Sequence, residues 1–171
     1  MSATCRILPG MDTMVAGPGW AAPAARSVLD ATRLAHRLAG ETGRPRDAGR
    51  AVALRWATLG GPPLLGDGPD DTPPTQAQVL RVLTAVDSEL RYLPPSPERE
   101  RLVGHQQGLQ WLVAGTGLGL DLPARHPDGQ LMTVEDLYRP EPWWEPEQQR
   151  DARRVAERTV ARSARLAELA S

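Results

Sequence analysis

The chain has 171 residues, with 20 basic and 21 acidic side chains and a formal net charge of −1 at pH 7. That length fits one domain, or one domain with tails, and the balance of charge excludes a globally basic nucleic-acid binder, so any phosphate-binding face must be local. Lysine, asparagine and phenylalanine are absent, and every basic residue is arginine while Ala, Gly and Pro abound; this is the mark of a GC-rich genome, with arginine standing where other chains carry lysine.

Residues 1–23 are rich in Gly, Pro and Ala without periodicity, and read as a flexible tail. Pro9, Gly10 and Asp12 interrupt the apolar stretch that a secretory signal requires. No window approaches the roughly 18 apolar residues of a membrane span, so a cytoplasmic protein without membrane contact is expected. Met11 and Met14 are alternative starts. Cys5, the single cysteine, allows neither an internal disulfide nor a cysteine-based zinc site within one chain. Trp20 is expected to dock back onto the domain or onto a partner.

The first helix is predicted from about Pro23 or Ser27 to Ala39, with Ser27 and Asp30 as a capping box and Val28, Ala31, Leu34, Ala35 and Leu38 as its apolar face. Gly40 and Gly43 are stop residues. A second helix, about Asp47 to Leu59, should bury Val52, Trp56 and Leu59 and end at Gly60-Gly61-Pro62-Pro63. Residues 60–74 follow as a long loop carrying Asp67, Asp70 and Asp71, read as a solvated acidic segment.

Thr75 and Gln78 open the third helix as a capping box, and Val79, Leu83, Val86, Leu90 and Leu93 recur at spacings of four and three. Pro94-Pro95 stops it. Ser96 and Pro97 start a fourth helix, to Ala114, making an αα-hairpin over about 75–114. Leu102, Leu109, Leu112 and Val113 form the stripe of that helix, and Gly104, Gly108 and Gly115 a small-residue seam expected to receive helix three. Thr133–Tyr138 reads as a helical turn, and a last helix runs from about Pro146 to Leu169. No strand pattern survives, so the fold expected is all-α, a small bundle of four or five helices. The divisions are 1–23 (tail), 24–138 (helical domain) and 139–171 (Pro/Trp linker plus basic C-terminal helix).

Catalytic and cofactor motifs are sparse. Gly115-Thr116-Gly117-Leu118-Gly119 lacks the glycine at position 120 and the following helix that a dinucleotide turn needs, and reads as an exit from helix four. His36, His105 and His126 form no paired metal-ligand spacing, and Asp67–Asp71 lacks the EF-hand alternation, so no metal and no cofactor is expected. Arg99 and His105 have a spacing that resembles the Arg/His pair of HEPN-type ribonucleases, small helical bundles in which the two residues share the RNA-cleaving site. The resemblance implies RNA cleavage by Arg99 and His105, although arginine is so frequent here that such a pair is expected by chance.

The final helix carries the main functional expectation. Arg150, Arg154, Arg158 and Arg162 recur every four residues, with Arg153 and Arg165 beside them. Trp143 and Trp144 stand between prolines just ahead, where two adjacent indoles cannot easily face one core. Tryptophan and arginine are the residues enriched at binding hot spots. We therefore expect a non-catalytic interaction module, an adaptor or regulator, binding a protein partner with an acidic surface through Trp143, Trp144, Arg150, Arg154, Arg158 and Arg162. Nucleic-acid binding through the same arginine helix is the first alternative and the Arg99/His105 ribonuclease the second. Self-association through the face of helix three is compatible with each.

Overall fold

A computed structural model describes residues 17–62, 64–65 and 72–171. The described residues form six helices: α1 (Ala25–Thr42), α2 (Pro45–Leu59), α3 (Gln76–Tyr92), α4 (Pro97–Ala114), α5 (Val134–Leu137) and α6 (Pro146–Leu169). Five are long and α5 is a single turn, so the small helical bundle expected from periodicity is what forms. Among the described residues the one β-type pairing is an isolated antiparallel bridge between Arg125 and Leu131. Cys5, Asp67, Asp70, Asp71 and most of the expected N-terminal tail lie outside the described residues.

Local chemistry fixes the helix ends. The Thr75 hydroxyl accepts from the Gln78 amide, and the Thr75 amide donates to the Gln78 side chain at 2.7 Å, which satisfies two of the unpaired donors at the start of α3. Ser96 caps α4 through the Arg99 amide at 3.1 Å, with Pro97 as first helical residue. Gly43 and Gly115 close α1 and α4 in the left-handed conformation. The expected Ser27 cap does not form, because α1 already begins at Ala25 and Ser27 lies inside it. Asp30, the intended box partner, is instead turned inward, 1% exposed, and accepts from Arg125 Nε at 2.6 Å.

The bundle is organised around α2 against α4, with α1 over α2 and α3 over α4. Their contact explains the glycine seam and corrects its assignment. A β-carbon on Gly104 would collide with the carbonyl of Arg46 on α2, and one on Gly49 with the carbonyl of Arg101 on α4. A β-carbon on Gly108 would stand 3.3 Å from Ala53. The seam of α4 thus receives α2, which answers with Gly49 and Ala53, rather than α3. Each interior glycine costs up to about 1 kcal/mol in helix propensity; close backbone approach, with Leu54, Leu109 and Leu112 fully buried beside it, offsets that cost.

Val79 and Val86 are fully buried on α3, whereas Leu83 packs at the core margin. On α2 the expected burial of Trp56 is seen at 7% exposure, but Val52 is 48% exposed. The face that meets α4 and α1 is instead made by Gly49, Ala51, Ala53, Leu54 and Ala57. Trp20 packs on the core and donates its indole N–H to the Pro74 carbonyl at 3.1 Å, while the Ala22 amide donates to Leu112 at 2.8 Å. Residues 17–23 therefore lie against the bundle. After α4, Leu118 tucks into the core between the left-handed Gly117 and Gly119, which is the structural use of the Gly115–Gly119 segment.

Candidate functional site

The chain enters α6 through a stiff corner. Thr133 and Asp136 form a capping box around α5, and Asp136 also bonds His126 Nε2 at 2.9 Å. The backbone N–H of Thr133, then the His126 side chain, hold the Asp136 carboxyl down to about 2. Pro140, Pro142 and Pro146 restrict the following segment, and the Trp144 amide donates to the Glu141 carbonyl at 3.0 Å to close a turn. The two indoles meet edge to face, with centroids 5.9 Å apart and planes at 89°. Trp143 is 74% exposed and Trp144 half-buried, its carbonyl accepting from Gln149 Nε2 at 3.0 Å. Beside them Arg153 lies over the Tyr138 ring, 5.6 Å from its centroid. An open surface cavity of about 440 Å³ is lined here by Tyr138, Pro146, Gln149, Arg150 and Arg153.

Arg150, Arg154, Arg158 and Arg162 are all exposed. Their side chains are not equivalent. Arg154 pairs with Asp151 and Arg162 with Asp121. Arg153, next to Arg154 in sequence, pairs with Glu157 at 3.1 Å. Arg158 donates to the Arg154 carbonyl at 3.3 Å. Among the described residues no carboxylate pairs with Arg150, Arg158 or Arg165. The tryptophans stand just ahead of the N-terminal end of the same helix, and the four arginines, all exposed, follow along it. Glu135, Glu141, Glu145 and Glu147 stand near the tryptophans in sequence, with the unpaired Arg150 among them, while the unpaired Arg158 and Arg165 lie towards the C-terminus.

Arg99 and His105 occupy a different region. Arg99 Nε donates to the Leu93 carbonyl at 3.1 Å, tying α4 back to the α3–α4 turn. His105 is 6% exposed, and neither ring nitrogen has a hydrogen-bond partner among the described residues, so the hydrogen bond expected of a buried histidine is missing. Burial, and then the charge of Arg101, push its pKa down to about 4. No hydrogen bond joins the two side chains.

Two buried polar clusters were not visible as motifs. Arg50, 3% exposed, donates to Asp47 at 2.9 Å and to Gln107 at 2.8 Å, bracing α2 against α4. Its burial, partly countered by Asp47, lowers its pKa. Asp30 and Arg125 likewise join α1 to the segment after α4. The one signal that could have found them is the Asp47/Arg50 spacing of three, which suits a helical ion pair; Gln107 and Arg125 carry no sequence signal that would assign them. Among the described residues no group of three His, Cys, Asp or Glu side chains could hold a metal ion, and no helix is long and apolar enough to cross a membrane. Compared with protein-family models, curated proteins and solved structures, the chain matches none.

Proposed function

We propose that the chain is a non-catalytic helical module that binds a protein partner, with Trp143 and Trp144 as anchors and Arg150, Arg154, Arg158 and Arg162 setting orientation against an acidic surface. The observation that carries this reading is the 74% exposure of Trp143 on a proline-stiffened turn. An indole is a large apolar surface to leave in water, and on a rigid support it loses little conformational freedom when covered. The buried, unpartnered His105 and the engaged Arg99 speak for structural roles at those two positions. The unpaired Arg150, Arg158 and Arg165 are the observation that favours the nucleic-acid alternative.

The test is capture by the immobilised full chain from nuclease-treated native lysate, with Trp143→Ala in parallel. A stoichiometric protein retained by the parent chain and lost by the variant is the expected result. Equal retention by both would remove Trp143 from the interface and overturn the reading. Nucleic acid recovered only without nuclease, and released steeply by salt, would transfer the arginine edge to phosphate binding.

A further inference from the structure

The outward stripe of α6 holds Glu147, Asp151, Arg154, Val155, Arg158, Arg162 and Arg165, all exposed. At 100° per residue these seven positions fall within about 100° of arc. Along the helix the stripe reads acid, acid, base, apolar, base, base, base. Val155, near its middle, is 57% exposed, although a β-branched apolar side chain gains nothing from water.

This order is self-complementary under a twofold rotation. Glu147 and Arg162 are equally far from the point between Arg154 and Val155, and so are Asp151 and Arg158. We infer that a second copy of this chain docks antiparallel on α6, about a twofold axis crossing at that point. Each acidic residue of one copy then faces a basic residue of the other, twice over by symmetry. The Val155 side chains lie next to the axis, and the tryptophan corner of one helix comes level with Arg165 of its partner. Antiparallel packing also opposes the two helix dipoles favourably.

Other occupants fit the stripe less well. An acidic surface that suits Arg158 and Arg162 meets Glu147 and Asp151 at the other end, and a basic one meets the reverse. A parallel copy sets like charges together. Only a partner carrying the opposite order matches both Glu147/Asp151 and Arg158/Arg162, and the antiparallel copy carries it. The pairs Arg154–Asp151 and Arg162–Asp121 within the chain do not prevent this. Both are exposed, 67% and 57% in the first and 65% and 68% in the second, so water already screens them and exchange is cheap. Asp151 next to Arg154 also moderates the repulsion between the two copies of Arg154 at the axis.

This inference shares Arg158 and Arg162 with the partner-binding reading but does not use Trp143 in its charge pairs, and the two fail separately. The experiment is molar mass by light scattering or sedimentation of the full chain at low salt over a concentration series. The expected result is twice the chain mass at high concentration, falling towards the monomer as salt rises. Glu147→Arg with Asp151→Arg should give a monomer, and so should Arg158→Glu with Arg162→Glu. An equimolar mixture of these two variants should recover the dimer, because their stripes complement each other. Unchanged helical circular dichroism checks that each variant folds. A parent chain that stays monomeric, reversal variants that still dimerise, or a mixture that stays monomeric would each overturn the inference. A monomeric parent chain that still loses a protein partner on Trp143→Ala would leave the binding reading standing without this one.

Discussion

The α2–α4 pair and α6 solve opposite problems with the same residue alphabet. In the pair, glycines bring two backbones together, and Leu54, Leu109 and Leu112 disappear from solvent around them. α6 is the longest of the described helices at 24 residues, yet it buries Ala156, Ser163 and Ala167 and nothing larger. It rests on α1, α5 and the segment after α4, where the Ser163 hydroxyl accepts from the Ala124 amide at 2.6 Å. Stability is therefore concentrated where no side chain is free to do anything else. The long helix that buries nothing larger than alanine and serine carries exposed arginines and borders the exposed tryptophan. That division is what binding surfaces need, since residues selected for a partner need not also serve the core.

The sharpest way to break this comparison is Gly104→Val. Its side chain would have to displace the Arg46 carbonyl, which belongs to helical backbone and cannot rotate away. Overpacking costs typically 1–3 kcal/mol. With backbone as the obstacle and a β-branched residue in a helix, we expect about 3 kcal/mol or more, read as a lowered urea midpoint or failure to fold. Gly108→Ala is the graded control, because its new carbon stands 3.3 Å from the Ala53 methyl, 3.4 Å from the Arg50 carbonyl and 3.5 Å from Leu54, tight contacts but no collision. A small effect at position 104 would mean that the two helices can separate without penalty, and the contrast with α6 would vanish.

Next in size is the acid response of the core. His105 titrates at about 4 in the folded chain against 6.5 when unperturbed, through burial first and Arg101 second. The unfolded chain therefore binds more protons between these values, and stability rises with pH across that window. Its contribution is intact above 6.5 and lost as pH falls towards 4. His36 is lowered in the same direction by burial and Arg55. Comparing pH 7 with pH 4.5, His105 alone should cost about 2–3 kcal/mol. His105→Leu should remove most of that dependence in urea titrations at the two pH values, and at pH 7 it should be neutral or stabilising, since both ring nitrogens lack partners. An unchanged pH slope would mean that the imidazole is solvated in the fold.

The same division explains what could be read from the sequence. Thr75–Gln78, Ser96–Pro97 and Gly115 act within one helical turn, so their local patterns placed the ends of α3 and α4. Ser27–Asp30 has a local pattern too, but Arg125, 95 residues away from Asp30, claims the carboxylate. The glycine seam of α4 was legible as a close approach, whereas its partner was not. The answering residue, Gly49, sits in a helix whose apolar periodicity pointed to Val52, and small residues contribute little to a pattern read by hydrophobicity. On α6 the arginine repeat was plain from spacing alone. Of the acids that neutralise it in part, Asp151 and Glu157 lie on the helix itself, whereas Asp121 comes from elsewhere in the chain and needed the fold to find it.

The smallest expected effect on stability belongs to Trp143→Ala, and it sharpens the contrast most. The ring is 74% exposed and touches Trp144 edge to face. Losing that contact should lower stability by less than about 1 kcal/mol, a shift in urea midpoint close to the error of the titration. Trp144→Ala removes the half-buried ring, whose carbonyl also holds Gln149, and should cost more. If Trp143→Ala proved as damaging as a core substitution, the indole would be a structural clamp, and its exposure would no longer argue for a partner. If stability is unchanged while partner capture is lost, the ring is retained for a surface that this chain does not itself supply.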